Sequence, residues 1–98
     1  MTSLRRSDRA SAAELDELFN YRTKSAQAVL DCEEVFNVSS PRVDVATEVE
    51  LIRENLDDYM RLDSGVPRTS DDAQRLIHEN ARIAANLNFR LLNFRLNR

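Results

Sequence analysis

Residues 70–98 read SDDAQRLIHENARIAANLNFRLLNFRLNR. Ala73, Ile77, Asn80, Ala84, Leu87, Leu91 and Phe94 recur there at an unbroken 4-3 spacing, which places them along one face of a helix. Ala85, Phe89, Leu92 and Leu96 form a second set, stepping 4-3-4. At 100° per residue the two sets lie roughly 140° apart around the helix. A surface helix needs one apolar face, whereas a helix with two must be covered from both sides. A chain of 98 residues has little to cover it with. The first seam is therefore expected to close an intramolecular bundle and the second to meet a partner.

Outward from this helix, composition supports an all-α chain. There is one glycine, and charged residues make up 32%, whereas sheets need turn residues and β-branched runs. Two further helices are expected. Ser11-Ala12-Ala13-Glu14 is a capping box, in which hydroxyl and carboxylate each satisfy a free backbone N–H. It opens a helix over 11–36 whose seam reads Leu15, Leu18/Phe19, Arg22, Ala26, Val29, Cys32 and Phe36, weakened by Arg22. After a turn at 37–40, Ser40-Pro41 opens a helix over 41–63, with Val45, Val49, Ile52, Leu56 and Tyr59 as its seam. Gly65, as a left-handed cap, and Pro67 are expected to end it. Thr69 or Ser70 caps the third helix, 70–97, with Asp71 and Asp72 at the positive end of its dipole and Asp71 paired to Arg75. Residues 1–10 read as a flexible basic arm, and 11–98 as one helical domain, a three-helix hairpin or bundle with a long, coiled-coil-like C-terminal helix.

A tight turn between the second and third helices would set Leu56 near Leu76, Val49 near Ile83 or Ala84, and Val45 near Leu87. Residues beyond about Leu91 would then overhang the start of the second helix, exposing the region of Phe94 and Leu96. The partner interface is accordingly assigned to Ala85, Phe89, Leu92, Phe94 and Leu96. Asn80, inside the first seam, is the candidate for fixing register and specificity, as a buried coiled-coil asparagine does. The alternative is a solvated position at the edge of the seam.

Charge is uneven. Net charge is −3, residues 14–63 carry thirteen of the seventeen acids, and residues 80–98 hold four arginines and no acid. Arg75, Arg82 and Arg90 fall within roughly 80° of one another, so they can track a phosphate backbone or pair with acids on the second helix, the latter being favoured. Asn86, Arg90, Asn93 and Asn97 read as a solvent-facing polar stripe. Glu50, Glu54, Asp57 and Asp58 form an acidic ridge with Arg61 relieving Asp57, either a docking surface for arginines or an ordinary solvated face.

No nucleophile–base set, glycine-rich phosphate loop or zinc spacing is present. His78 is the single histidine and has no metal-binding partner at i±4. Cys32 is the lone cysteine and is expected to be buried and reduced. No cofactor, metal, small-molecule substrate or membrane partner is expected, nor is enzymatic activity. The chain lacks a signal-peptide core and a membrane span, giving an intracellular expectation, cytoplasmic or nuclear. It can also be a piece of a longer protein. The expected role is a small adaptor or scaffold subunit that assembles by coiled-coil contacts with itself or another protein. Two alternatives stand beside it. One is a dimeric helical nucleic-acid binder, viral or phage in type, that uses the arginine stripe. The other is an acidic inhibitor whose second helix mimics nucleic acid.

Overall fold

The computed structural model describes residues 8–38 and 46–96, with side chains described over 8–34 and 49–93. It is all-α: α1 (Ala12–Val38), α2 (Ala46–Met60) and α3 (Ser70–Leu96). The capping box forms as its sequence dictates. Ser11 N donates to Glu14 Oε1 at 3.0 Å, and Glu14 N donates to Ser11 Oγ at 3.1 Å. At α3 it is Thr69 that caps, its Oγ1 accepting from Asp72 N at 3.1 Å.

The N-terminal ends of α1 and α3 lie together. Glu14 accepts from Ser70 Oγ at 2.6 Å and from Gln74 Nε2 at 2.8 Å. Further along, Ser25 meets Asn80, so the two helices run parallel. Their mutual packing is the most extensive in the fold. Near the shared end, Ala10 N donates to Arg68 O at 3.0 Å beside an antiparallel bridge between Arg9 and Thr69. The last two residues of the stretch read as an arm are thus paired. Residues 1–7 lie outside the described residues.

α2 returns antiparallel and packs mainly on α3. Asn55 accepts from Asn86 Nδ2 at 3.4 Å, which shifts the α2–α3 register from the expected one by about nine residues of α3, or about 13 Å. Leu56 and Leu76 consequently belong to different apolar clusters. Val49 shares a cluster with Leu91, so α2 reaches the last turns of α3 and the expected overhang does not form at Leu91. The cause is the connection over 61–69. α2 stops at Met60 rather than at residue 63, its last turn tightened by Arg61 N and Leu62 N donating to the carbonyls of Asp58 and Tyr59. The chain then runs extended alongside α1. Arg22 holds it there, donating from one nitrogen to Asp63 O at 2.8 Å and Gly65 O at 2.7 Å. Gly65 takes no left-handed cap, as no described glycine has positive φ. Instead Asp63 Oδ1 accepts from Gly65 N at 2.8 Å. The helix boundaries otherwise fall close to expectation, although α1 continues through Asn37 and Val38, which sequence had placed in a turn. The Ser40-Pro41 cap and Val45 lie outside the described residues.

The core has two apolar clusters along α3. One holds Leu18, Leu76 and Ile77 with Tyr21 against them. The other is built on Cys32, Ile52, Ile83, Leu87 and Leu91, covered by α2. The first seam of α3 is therefore buried as expected from Ala73 through Leu91. The face α1 contributes differs in part from the expected one: Leu18 and Cys32 of the expected seam are buried, but Ser25 and Ala28 join them in place of Leu15, Arg22, Ala26 and Val29, and Phe19 is 70% exposed. That face is rotated by roughly 85° from the line through Leu15, Arg22, Ala26 and Val29.

Candidate interaction surface

Asn80 sits between the two clusters, 2% exposed. Its Oδ1 accepts from Ser25 Oγ at 2.8 Å, and its Nδ2 donates to Leu76 O at 2.8 Å. Ser25 is itself fully buried and its hydroxyl also reaches Arg22 O at 3.0 Å. Among the described residues no buried side-chain nitrogen or oxygen lacks a partner, so this polar layer is satisfied and carries no desolvation penalty of an orphaned group. It pairs α1 with α3 inside one chain. The expectation of a solvated edge position does not hold.

On the far side of α3 the second seam is open to solvent. Phe89 is 56% exposed, Leu92 is 54% exposed, and Ala85 is exposed with them. The side chains of Phe94 and Leu96 lie outside the described residues. α1 carries a matching feature that sequence reading missed. Phe19 and Leu30, at 70% and 58% exposure, project from its outer face. Between α1 and α3, on the side away from α2, runs an open groove of about 390 Å³ floored by Ala28, Ala81, Ala84 and Ala85. Asn88 lines it, lying roughly 160° around α3 from the α2-bound Asn86.

The charged residues fall differently from expectation. Arg75 pairs within its own helix, with Asp72 at 3.7 Å and Glu79 at 3.4 Å, rather than with Asp71 or with acids of α2. Arg82 is exposed. Arg90 is half-buried, its guanidinium 5.4 Å from the centre of the Phe89 ring. The three arginines therefore do not form one uncommitted stripe. Asn86, Arg90 and Asn93 are half-buried rather than solvent-facing, and Asn86 turns toward α2. Glu50 and Glu54 are exposed on the outer side of α2. Arg61 pairs with Asp58, at 3.9 Å, and not with Asp57.

Among the described acids, Glu14 is the one whose carboxyl is clearly shifted. Hydrogen bonds from Ser70, Gln74 and the Ser11 backbone hold its carboxyl at about 2, down from the ordinary 4.5. The capping box was legible in sequence, but its second task of tying α1 to α3 was not. Cys32 is fully buried. Among the described residues no group of three or more histidine, cysteine or carboxylate side chains is placed to hold a metal ion, and no helix is long and apolar enough to cross a membrane. No protein-family model, curated protein or solved structure matches this chain.

Proposed function

We propose that this chain is a non-enzymatic assembly module, a small adaptor or scaffold subunit that joins a larger complex through helix–helix contacts made by α3. The observation that carries this reading is the contrast across a single helix. Leu87 is fully buried and Leu91 is 3% exposed, while Phe89 and Leu92, two residues and one residue further along, are more than half exposed. Large apolar side chains aligned at helical spacing on a solvent face favour association. Ala85, Phe89 and Leu92, with Phe94 and Leu96 further along, are the proposed contacts, and Asn80 the residue that keeps α1 and α3 in register behind them. The intrahelical pairing of Arg75 weighs against the nucleic-acid alternative, since it leaves fewer cations to follow a backbone. The acidic ridge of α2 presents no exposed large apolar side chain beside Glu50 and Glu54, which favours a solvated face over an inhibitor surface.

The test is Phe89→Asp combined with Leu96→Asp, compared with wild type by light scattering behind size exclusion at low and high salt, and by co-purification from the native source. The reading requires a fall in mass or loss of a partner without loss of helicity. An unchanged mass together with an unchanged set of co-purifying proteins overturns it.

A further inference from the structure

We infer that the occupant of the outer face of α3 is the outer face of α1 from a second copy of this chain, joined head to tail. This rests on the assembly reading above and names the partner. Four of the six large apolar side chains most exposed among the described residues lie on these two faces: Phe19 and Leu30 on α1, Phe89 and Leu92 on α3. Each face has the spacing of a helix-packing seam. Phe19, Thr23, Ala26 and Leu30 step 4-3-4 along α1, and Ala81, Ala85, Asn88 and Leu92 step 4-3-4 along α3. Each face carries large residues beside small ones, Phe19 and Leu30 flanking Thr23 and Ala26 on α1, and Phe89 and Leu92 beside Ala81 and Ala85 on α3, so a large side chain of one face can seat on small ones of the other.

Charge selects the pairing. Asp16, Glu33 and Glu34 are exposed on or beside the outer face of α1. On α3, Arg82 is exposed beside Ala85, and no acid occurs from Asn80 to the end of the chain. An α1 face against an α3 face thus brings acid to base. Two α3 faces in a symmetric dimer would set arginine against arginine, and two α1 faces acid against acid, both unfavourable. The outer side of α2, with Glu50, Arg53, Glu54 and Asp57 exposed, offers a single large apolar side chain among its described residues, Met60 at the very end of the helix, and so no seam to either. A contact between two different faces is heterologous. It leaves one unused face at each end and grows into a ring or an open chain, whereas a symmetric contact stops at the dimer.

That property supplies the test. Leu30→Asp disables the α1 face and Phe89→Asp disables the α3 face. Both positions are exposed, and circular dichroism is used to check that each variant folds. Light scattering is measured on wild type, on each variant and on their equimolar mixture, at protein concentrations from about 10 µM to 1 mM, spanning the weak end of specific association. The expected pattern is a wild-type mass that grows with concentration beyond the dimer or to a closed ring, two variants that each stay monomeric, and a mixture that forms a dimer and stops. Charge follows the same logic. Arg82→Glu should weaken wild-type assembly about three- to tenfold, and mixing it with Glu34→Arg should recover part of the loss. A stable dimer abolished by Phe89→Asp but untouched by Leu30→Asp would make the contact symmetric through α3 and overturn the inference, while leaving the assembly reading in place. A wild type monomeric throughout, with a different protein lost on Phe89→Asp, would also overturn it and place another chain on this face. Assembly that depends on added RNA or DNA would overturn both.

Discussion

The buried Ser25–Asn80 layer makes a quantitative prediction about what keeps α1 and α3 in register. Ser25→Ala removes the donor that faces Asn80 Oδ1, 2.8 Å away in a site that is 2% exposed or less. No other described partner satisfies that oxygen, so the variant leaves a buried acceptor unpaired, at a cost of about 1–3 kcal/mol. Asn80→Leu behaves differently. Ser25 keeps the Arg22 carbonyl at 3.0 Å, so no donor is orphaned. A leucine of similar volume adds apolar contact with the clusters on either side, and the net change is expected within about 1 kcal/mol of zero. In the Asn80→Leu background, Ser25→Ala then costs about 0.5 kcal/mol or less, because the acceptor it would have stranded is gone. The two substitutions are therefore coupled by about 1–2 kcal/mol. Urea unfolding followed at 222 nm reads this directly. With a slope near 1–2 kcal/mol/M for a domain of this size, Ser25→Ala should lower the midpoint by about 1 M. The double variant should unfold near the wild-type midpoint but lose dispersion in its amide spectrum, since a purely apolar layer tolerates sliding of one helix on the other. A Ser25→Ala cost that is the same in both backgrounds would refute the reasoning, because it would show that the hydroxyl matters for its own packing and not for Asn80.

Three other outcomes follow from the geometry. Glu14 has a native value lowered to about 2 from 4.5, so its contribution to stability is complete above pH 4.5 and drains away as the pH falls toward 2; Glu14→Gln should flatten that part of the stability–pH curve measured by thermal unfolding. Arg22→Met removes the two hydrogen bonds to Asp63 O and Gly65 O and should cost about 1 kcal/mol, given its partial exposure, with hydrogen exchange accelerating first around residues 63–66. Leu92→Asp should change the stability of the isolated monomer by less than about 0.5 kcal/mol, whereas Leu87→Ala, fully buried, should cost about 2–5 kcal/mol; equal effects in chemical unfolding would mean that the outer seam is part of the core.

The sequence carried the helices because local chemistry decides them: a capping box at Ser11, a threonine cap at Thr69, and a seam on α3 whose spacing leaves no other reading. It misassigned the face of α1 for a specific reason. Ser25 and Asn80 are each polar interruptions of their own helix, and they are buried because they meet. The apolar pattern of α3 is long enough to carry Asn80 inside its seam, but the shorter pattern of α1 discounts Ser25. On α1 that discount moved the expected seam onto Arg22 and Ala26, away from the true line through Ser25. The register of α2 was lost for another reason. A connection with glycine and proline reads as a tight turn, yet this one is held open by an arginine forty-one residues away in sequence, a long-range contact with no local signature.

These two misreadings bear on function together. With Arg22 counted as a break, the seam of α1 reads as a weakened one that includes Phe19 as an alternative to Leu18. Once α1 is turned so that Ser25 faces α3, Phe19 and Leu30 are no longer strays from a poor seam but the apolar positions of an outward face, opposite in sense to the core. The shift of α2 completes the change. By reaching Leu91 it covers the end of the α3 core seam, so Phe89 and Leu92 are not exposed for want of a long enough neighbour. They point away from every helix of their own chain. Both exposed faces are then consequences of how the three helices pack, and among the described residues no helix covers either of them.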